Sequence, residues 1–176
     1  RIFKLNLENC VLFERTESED LVKEIWIRHP YKSNTIEYEY GESKFLEEAK
    51  KVMERESLDK GWPVGLVYVK DEKIISWGAN GSTYHDEHGC ERKRLGTPTG
   101  QGYELCEGCH PKNHAEAKAV NKAEELGVLA QLKNSVSYMY GHWWACEGCT
   151  KAMEGAGVIK VVMSKNWTKD YFGIIG

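Results

Sequence analysis

The amino-acid sequence predicts an α/β fold, because stretches with helical periodicity alternate with short apolar runs of strand length. Apolar side chains recur at helical spacing over residues 45–53, and residues 66–77 hold two apolar runs around an Asp-Glu turn. Two more helices, which begin near His114 and Cys146, alternate with apolar runs in the second half. The 176 residues suffice for one domain with a substantial core.

Composition and charge favour a globular protein that acts on a small molecule. Hydrophobic residues make up 41% of the chain and charged residues 29%, the usual balance of a globular domain. No apolar run has the length of a membrane span and no signal-peptide pattern is present, so a cytoplasmic location is expected. The net charge of -3 provides no general attraction for nucleic acid, and a polynucleotide partner is therefore not expected.

The N-terminal 41 residues are predicted to be an extension that precedes the main domain at residues 42–176. Loosely mixed apolar and polar positions in residues 1–13 indicate an edge strand. Residues 16–19 have the spacing of a capping box, and the apolar positions after them predict a short helix that ends before a His-Pro pair. Packing or oligomer contacts are the expected role of this extension.

The main domain is expected to follow a connector at residues 31–41, which are polar and rich in tyrosine. From Ser43 onwards, apolar and charged positions separate onto two faces of a helix, and the charged face is expected to be solvated. Residues 61–63, Gly-Trp-Pro, end that helix. Residues 66–69 and 73–77 then predict two strands around a short turn.

The second half of the chain also alternates between helix and strand. A helix from His114 is expected to end at Gly127, since glycine is typical just after a helix. The aromatic tail from Lys165 is expected to cover the core. The remaining predicted elements are a strand at 136–140, a helix at 146–153 and a strand at 158–163.

Two short motifs at the starts of helices combine the ligands of a catalytic zinc site. The imidazole of His114 and the thiolates of Cys146 and Cys149 form a tetrahedral set with one open position, which holds water that the metal acidifies. Glu116 can reach the same metal only at the start of its helix, where it would accept the proton, and Asn113 is the expected N-cap. The first turn of the other helix favours thiolates.

A second group of cysteines and histidines predicts a structural zinc site. Most of the six cysteines lie in Cys-x-x-Cys units near histidines, which favours metal binding over disulfides. Four protein ligands would leave no open position, so this zinc would hold a loop poor in apolar residues and shape the active-site wall. His88 and His110 are alternative ligands, and free thiols are another interpretation. The preferred ligands are His85, Cys90, Cys106 and Cys109.

The His-x-Glu and Cys-x-x-Cys motifs, in this order and spacing, resemble those of the zinc-dependent cytidine and deoxycytidylate deaminases. The resemblance covers about residues 43–163 and is greatest to the deoxycytidylate branch. It implies a three-layer α/β/α sandwich with a mixed central sheet, and a homo-oligomer. The implied reaction is hydrolytic deamination of a cytosine nucleotide, and conversion of dCMP to dUMP is the first expectation. In that reaction a zinc-activated hydroxide attacks C4 and Glu116 is the proton shuttle. Asn80 would bind the sugar hydroxyl, and Ala115 is a further implied substrate contact.

Two departures from the family pattern leave the substrate open. Ala145 stands where the family has proline, and residues 141–144 are unusually aromatic. Another nucleoside or base remains an alternative, such as cytidine, a guanine-type base or a modified nucleotide, and so does an inactive zinc-stabilised binding module. Trp143 or Trp144 would stack on a pyrimidine ring or belong to the core. The basic residues that would hold a 5′-phosphate, or be ordinary surface charge, are Arg92, Lys93, Arg94 and Lys112.

Overall fold

The computed structural model describes residues 33–98 and 101–171 with their side chains, and the backbone alone of two strands at 10–15 and 23–28. A five-stranded sheet forms the centre of the molecule. Its strands are β3 (Glu37–Gly41), β4 (Gly65–Lys70), β5 (Lys73–Ala79), β6 (Val136–Tyr140) and β7 (Lys160–Ser164). In the order β3-β7-β6-β4-β5, the first three run parallel, whereas β4 is antiparallel to both of its neighbours.

Helices of different lengths surround this sheet. The α-helices are α1 (Lys44–Glu56), α2 (Tyr84–His88), α3 (Glu91–Arg94), α4 (Ala115–Glu125), α5 (Glu147–Ala156) and α6 (Lys165–Tyr171). Short 3-10 turns lie at Tyr103–Leu105, Glu107–Cys109, Pro111–Asn113 and Leu129–Leu132. In the described part of the chain, none of the helices combines the length and the apolar character that a membrane span needs.

Both faces of the sheet are covered by helices, because successive residues of a strand point to opposite sides. On β4, Val67 and Val69 pack in a core with α1, whereas Leu66 and Tyr68 pack in a larger core with α4 and α5. The fold is therefore a three-layer α/β/α sandwich with a mixed central sheet, which confirms the predicted fold class.

Helix α4 lies very close to strand β5 at Gly78. A Cβ atom at this glycine would lie 2.6 Å from both the Ala115 carbonyl oxygen and the Ala119 nitrogen, so a larger residue would push the helix away. This close approach fixes the first turn of α4 against the sheet. His114 and Glu116 lie in that turn, and the sheet therefore sets their position.

Several predicted boundaries of the main domain are confirmed. Ser43 caps α1 by accepting a hydrogen bond from the Phe45 backbone N–H at 3.1 Å. Asp71 and Glu72 form the turn between β4 and β5 with φ values of 51° and 61°, the left-handed conformation that a two-residue hairpin turn requires. The tail forms α6, and its half-buried Trp167 packs against the larger core as expected.

The prediction of a short helix before the His-Pro pair is wrong. Residues Lys23–Arg28 form strand β2, which pairs antiparallel with β1 at Cys10–Arg15. The apolar positions fit helical spacing, but Ile25, Trp26 and Ile27 in succession favour a strand. The edge strand predicted within residues 1–13 corresponds to β1, which begins at Cys10 and ends at Arg15. The predicted capping box at residues 16–19 lies outside the described residues.

The prediction of a connector at residues 31–41 is also wrong, because residues 37–41 form edge strand β3. Tyr38 and Tyr40 are half-buried, whereas Glu37 and Glu39 between them are exposed, and this period of two is typical of a strand. The tyrosines and glutamates were interpreted as a polar segment instead. The division into an extension and a domain stays a prediction, but β3 belongs to the sheet of the main domain.

Candidate metal centre and substrate cavity

Three predicted metal ligands meet between the starts of α4 and α5. His114 and Cys146 occupy the N-cap positions of the two helices, and Cys149 lies in the first turn of α5. The His114 Nδ1 atom is 3.2 Å from the Cys149 sulfur and 3.5 Å from the Cys146 sulfur, and the two sulfurs are 3.1 Å apart. Ligands about 2.0–2.3 Å from one zinc ion lie at comparable separations from one another, so these side chains fit that ion.

The predicted N-cap of α4 is wrong by one residue. His114 has an extended backbone, with φ -79° and ψ 155°, so the helix begins at Ala115. The Asn113 side chain instead donates to the carbonyl oxygens of Glu107 at 2.8 Å and Gly108 at 3.3 Å. Asn113 therefore connects the preceding loop to the start of α4. We call the group of His114, Cys146 and Cys149 the first metal centre.

In this centre the pKa of Cys146 is lowered and that of Glu116 is raised, whereas the hydrogen bond to Cys146 and burial raise the pKa of Cys149. Glu116 is buried, and this burial raises the pKa of its carboxyl group above the ordinary value. A carboxyl group with a raised pKa can both accept and release a proton near neutral pH. The hydrogen bond with the Cys149 side chain, together with nearby His114, lowers the pKa of Cys146 to about 5. Cys146 is thereby held as a thiolate, the form that binds metal.

The second ring nitrogen of His114 also has a defined partner. Its Nε2 atom is 3.0 Å from the main-chain carbonyl oxygen of Cys109. A carbonyl oxygen can only accept a hydrogen bond, so Nε2 carries the proton and Nδ1 keeps its lone pair for a metal. The Tyr103 ring meets the imidazole edge to face, with ring centroids 4.8 Å apart. These contacts orient His114 toward Cys146 and Cys149.

The structure brings together the four residues of the predicted second site. The ligand atoms of His85, Cys90, Cys106 and Cys109 all lie within 4.8 Å of one another. The His85 Nε2 atom is 3.3 Å from the Cys106 sulfur and 3.6 Å from the Cys109 sulfur, and the Cys90 and Cys109 sulfurs are 3.6 Å apart.

Of the three candidate histidines, His85 is the one that faces these sulfurs. His88 is exposed and packs on Tyr84, whereas the His110 ring accepts a hydrogen bond from the Lys112 backbone N–H. Gly108 allows this arrangement, because a Cβ atom there would lie 2.4 Å from the His85 Nε2 atom.

Both clusters border one cavity. The predicted substrate residues lie at its wall, but Asn80 is held there by the protein itself. The Asn80 side-chain oxygen accepts from the Val64 N–H at 2.8 Å and the Ser57 hydroxyl at 2.7 Å, and its nitrogen donates to the Trp62 carbonyl oxygen at 2.8 Å. Asn80 thus braces the loop before β4, and its contact with a substrate stays a prediction. The described residues that line the cavity include His85, Cys109, His114, Ala115, Glu116 and Cys146.

Aromatic residues that were not predicted as site residues form another part of the wall. The Trp62 and His142 rings are 5.4 Å apart, and His142 is 5.2 Å from Trp144. Burial lowers the pKa of His142 to about 3, so its imidazole is neutral. The Trp62 indole N–H donates to the Gly141 carbonyl oxygen at 2.8 Å, which joins two segments distant in sequence. No spacing in the sequence signals that contact.

The predicted tryptophan pair divides between two roles. Trp143 and Trp144 are both buried in the larger core, as one interpretation expected, but only Trp144 of the pair also borders the cavity. The indole N–H of Trp144 has no hydrogen-bond acceptor among the residues whose side chains are described. An unpaired buried donor is unfavourable, so a ligand in this cavity that offers an acceptor would satisfy it.

Arg92 is the one arginine or lysine among the described residues that line the cavity, and the protein itself engages its guanidinium. Its Nε and one terminal nitrogen donate to the carbonyl oxygens of Gln101 at 2.9 Å and Pro98 at 3.0 Å. The other terminal nitrogen is 3.7 Å from the Cys109 sulfur, and the group stacks on Tyr103. Of the other proposed phosphate ligands, Lys112 pairs with Glu107, and Arg94 pairs with Glu91.

His114, Cys146 and Cys149 form a group that could hold a metal ion beside the buried Glu116. Residues 40–165 match the family model of the cytidine and deoxycytidylate deaminase zinc-binding region, which covers most of the chain. The chain belongs to this family, and the resemblance stated from its motifs is confirmed. No match was found among curated proteins.

Part of the chain is similar to several solved structures. The dCMP deaminase of cyanophage S-TIM5 in complex with dCMP and dUMP is 23% identical over 74% of this chain and 86% of its own, with a TM-score of 0.43. Guanine deaminase from Bacillus subtilis is 22% identical over 73% and 68%, also with a TM-score of 0.43. RibD from Acinetobacter baumannii is 23% identical over 67% of this chain, with a TM-score of 0.38, and this chain spans only 26% of it.

Proposed function

We propose that the chain is a hydrolytic deaminase of cytosine compounds that depends on zinc held by His114, Cys146 and Cys149. The observation that supports this most strongly is that three candidate metal ligands from two helix starts lie together, next to a cavity that His114, Cys146 and the buried Glu116 border. A site of only three protein ligands leaves one position for water, as catalytic zinc requires.

Glu116 and Tyr68 have different roles in the proposed reaction. Zinc, when bound, acidifies a water molecule so that hydroxide is available near neutral pH. Glu116 would carry the two protons of the attacking water in turn. The first goes to ring nitrogen N3 as the oxygen bonds to C4, and the second goes to the amino group as its bond to C4 breaks, so that ammonia leaves. The Tyr68 hydroxyl donates to the Glu116 carbonyl oxygen at 3.0 Å and so holds the first turn of α4 in place.

The cavity wall suggests how a pyrimidine ring is held. We propose that the Trp144 indole N–H donates to the ring carbonyl oxygen, since this buried donor has no acceptor in the described part of the chain. Neutral His142 keeps Trp144 in position, because its Nδ1 accepts from the Trp144 backbone N–H at 3.3 Å.

We expect Trp144→Phe to raise KM about three- to tenfold with little change in kcat, as the loss of one hydrogen bond predicts. Trp143→Phe is the matched control, because Trp143 is also buried but is not among the residues that line the cavity. Steady-state kinetics of both variants check this expectation. Equal KM values for the two variants would show that Trp144 does not contact the substrate.

The second cluster is proposed to bind a structural zinc through His85, Cys90, Cys106 and Cys109. Few described residues in the surrounding segment 82–110 are buried, and Leu95 and Leu105 are exposed. An apolar core therefore contributes little to the order of this segment, and a metal bound by four ligands would supply it.

Metal analysis of purified protein is expected to find two zinc ions per chain for the unaltered sequence and one for His85→Ala. His88→Ala is the matched control, since this histidine lies in the same helix but is exposed and is not part of the four-residue group. It should retain both ions. One zinc in the unaltered chain, or two in His85→Ala, would contradict the assignment.

dCMP is the first substrate to test, but the cavity also favours a second candidate that lacks a phosphate. Arg92, the basic residue at the described cavity wall, is committed to loop carbonyl oxygens and to Tyr103. A nucleoside or free base needs no cation, so cytidine, deoxycytidine or another amino-substituted base fits this wall without rearrangement.

Ammonia release from dCMP, CMP, deoxycytidine, cytidine and guanine, measured side by side, distinguishes these candidates. Release from dCMP alone would support the nucleotide, whose phosphate would then need a ligand other than Arg92 in its present position. Preference for deoxycytidine or cytidine would support the phosphate-free substrate. Absence of ammonia from every compound, with zinc bound, would favour a zinc-stabilised binding module instead.

A further inference from the structure

One residue, Cys109, joins the two metal-ligand clusters. Its sulfur belongs to the second cluster, 3.6 Å from both the His85 Nε2 atom and the Cys90 sulfur. Its main-chain carbonyl oxygen is 3.0 Å from the Nε2 atom of His114, whose other nitrogen faces Cys149. A single residue therefore connects a ligand of one cluster to a ligand of the other.

The position of this carbonyl group depends on how the second cluster folds the chain. The Cys109 N–H donates to the Cys106 carbonyl oxygen at 3.1 Å and closes the turn between the two cysteines. Asn113 then connects the same turn to the start of α4 through the Glu107 and Gly108 carbonyl oxygens. If the sulfurs were not held together, the turn would lose its main constraint and the acceptor of the His114 hydrogen bond would move.

The same loop reaches His114 by a second route. The Tyr103 ring packs edge to face on the His114 imidazole, and the Arg92 guanidinium lies 4.4 Å from the centre of the Tyr103 ring. A terminal nitrogen of Arg92 is in turn 3.7 Å from the Cys109 sulfur. Both routes begin at Cys109 and end at the imidazole that binds the first metal.

We propose that zinc in the four-ligand cluster tightens zinc binding at His114, Cys146 and Cys149, because it holds the Cys109 carbonyl oxygen as the acceptor of the His114 Nε2–H. This inference rests on the proposed function only in assigning zinc to both clusters. Partners of this kind fix the tautomer and the ring direction of a metal-binding histidine. Cys109 is thus a positioning residue for the first centre as well as a ligand of the second.

The test is the zinc affinity of the three-ligand centre, measured by competition with a chromophoric chelator. His85→Ala removes a ligand of the second cluster and alters neither Cys109 nor any ligand of the first centre in sequence. We expect its affinity to fall about 10- to 100-fold, the usual effect of losing such a supporting contact. His88→Ala should bind as the unaltered chain does. Unchanged affinity in His85→Ala, with the second cluster empty, would overturn the proposal.

Coupling between two binding sites is reciprocal, so a loss of zinc from the first centre must also weaken zinc binding at the second cluster. A second variant tests this effect. Cys149→Ser, which weakens the first centre, should lower the zinc affinity of the four-ligand cluster by the same factor. If His85→Ala does not fold, zinc titration of the metal-free unaltered chain still decides. Positive cooperativity between the two sites supports the coupling, whereas independent binding contradicts it. Coupled zinc sites in a chain that releases no ammonia would refute the proposed function and leave this inference intact.

Discussion

Glu116→Gln is expected to lower the rate of deamination about 10²- to 10⁴-fold while both zinc ions stay bound, the range that general acid-base catalysis contributes. Glutamine has nearly the same shape, so the buried site keeps its packing, but the amide cannot accept the proton from water. The raised pKa of the Glu116 carboxyl group makes it suitable for both halves of the transfer. Ammonia release and metal content, measured on the same preparation, check this result.

A matched control is available on the neighbouring helix. Glu147 also lies in a first helical turn, next to Cys146 in sequence, but its side chain is 59% exposed and pairs with Lys151. Glu147→Gln should keep activity within about twofold, because exposed ion pairs contribute little. Turnover of zinc-loaded Glu116→Gln close to that of this control would remove Glu116 from the mechanism.

Cys149→Ser is expected to abolish deamination and to reduce the bound zinc from two ions to one. Cys149 is 1% exposed and its sulfur is within 3.2 Å of the His114 nitrogen, so a hydroxyl in its place removes a buried sulfur ligand from the three-ligand centre. Glu147→Gln again serves as the control. Metal analysis and ammonia release at equal protein concentration provide the measurement.

The remaining zinc in Cys149→Ser identifies the two centres. Cobalt substitution should leave the visible spectrum of a three-sulfur, one-nitrogen site, which corresponds to the second cluster. Full activity in this variant, or loss of both ions at saturating metal, would contradict the assignment of ligands to the two centres.

The proximity of the candidate metal ligands within each pair could be predicted from sequence, because each pair lies within one short segment. Cys146 and Cys149 share a helical turn whatever the rest of the fold does, and His114 and Glu116 share the start of another. That the two helices meet at one point came from the resemblance to a known family and not from spacing. The residues that lie together within one helix start could therefore be predicted, whereas the meeting of the two helix starts needed knowledge of the fold.

The errors concern contacts made between distant segments. Strand β3 was missed because it forms by pairing with β7, which lies more than a hundred residues later in the sequence. A short alternation of tyrosine and glutamate is by itself only a weak signal for a strand. Trp62 was interpreted only as part of a helix end, since nothing near it in sequence indicates Gly141 or His142. Strand β2 was mistaken for a helix because helical spacing of the apolar positions was given more weight than the run of Ile25, Trp26 and Ile27.

The most direct test of the central claim follows the oxygen atom that replaces the amino group at C4 of the product. Zinc-loaded protein is incubated in ¹⁸O-labelled water with the most reactive compound of the cytosine series, and the ammonia and the mass of the product are measured together. The account predicts one ammonia per product molecule and one labelled oxygen at C4, with Glu116→Gln nearly inactive. Ammonia without a labelled uracil product, or equal product from the Glu116 variant, would contradict it.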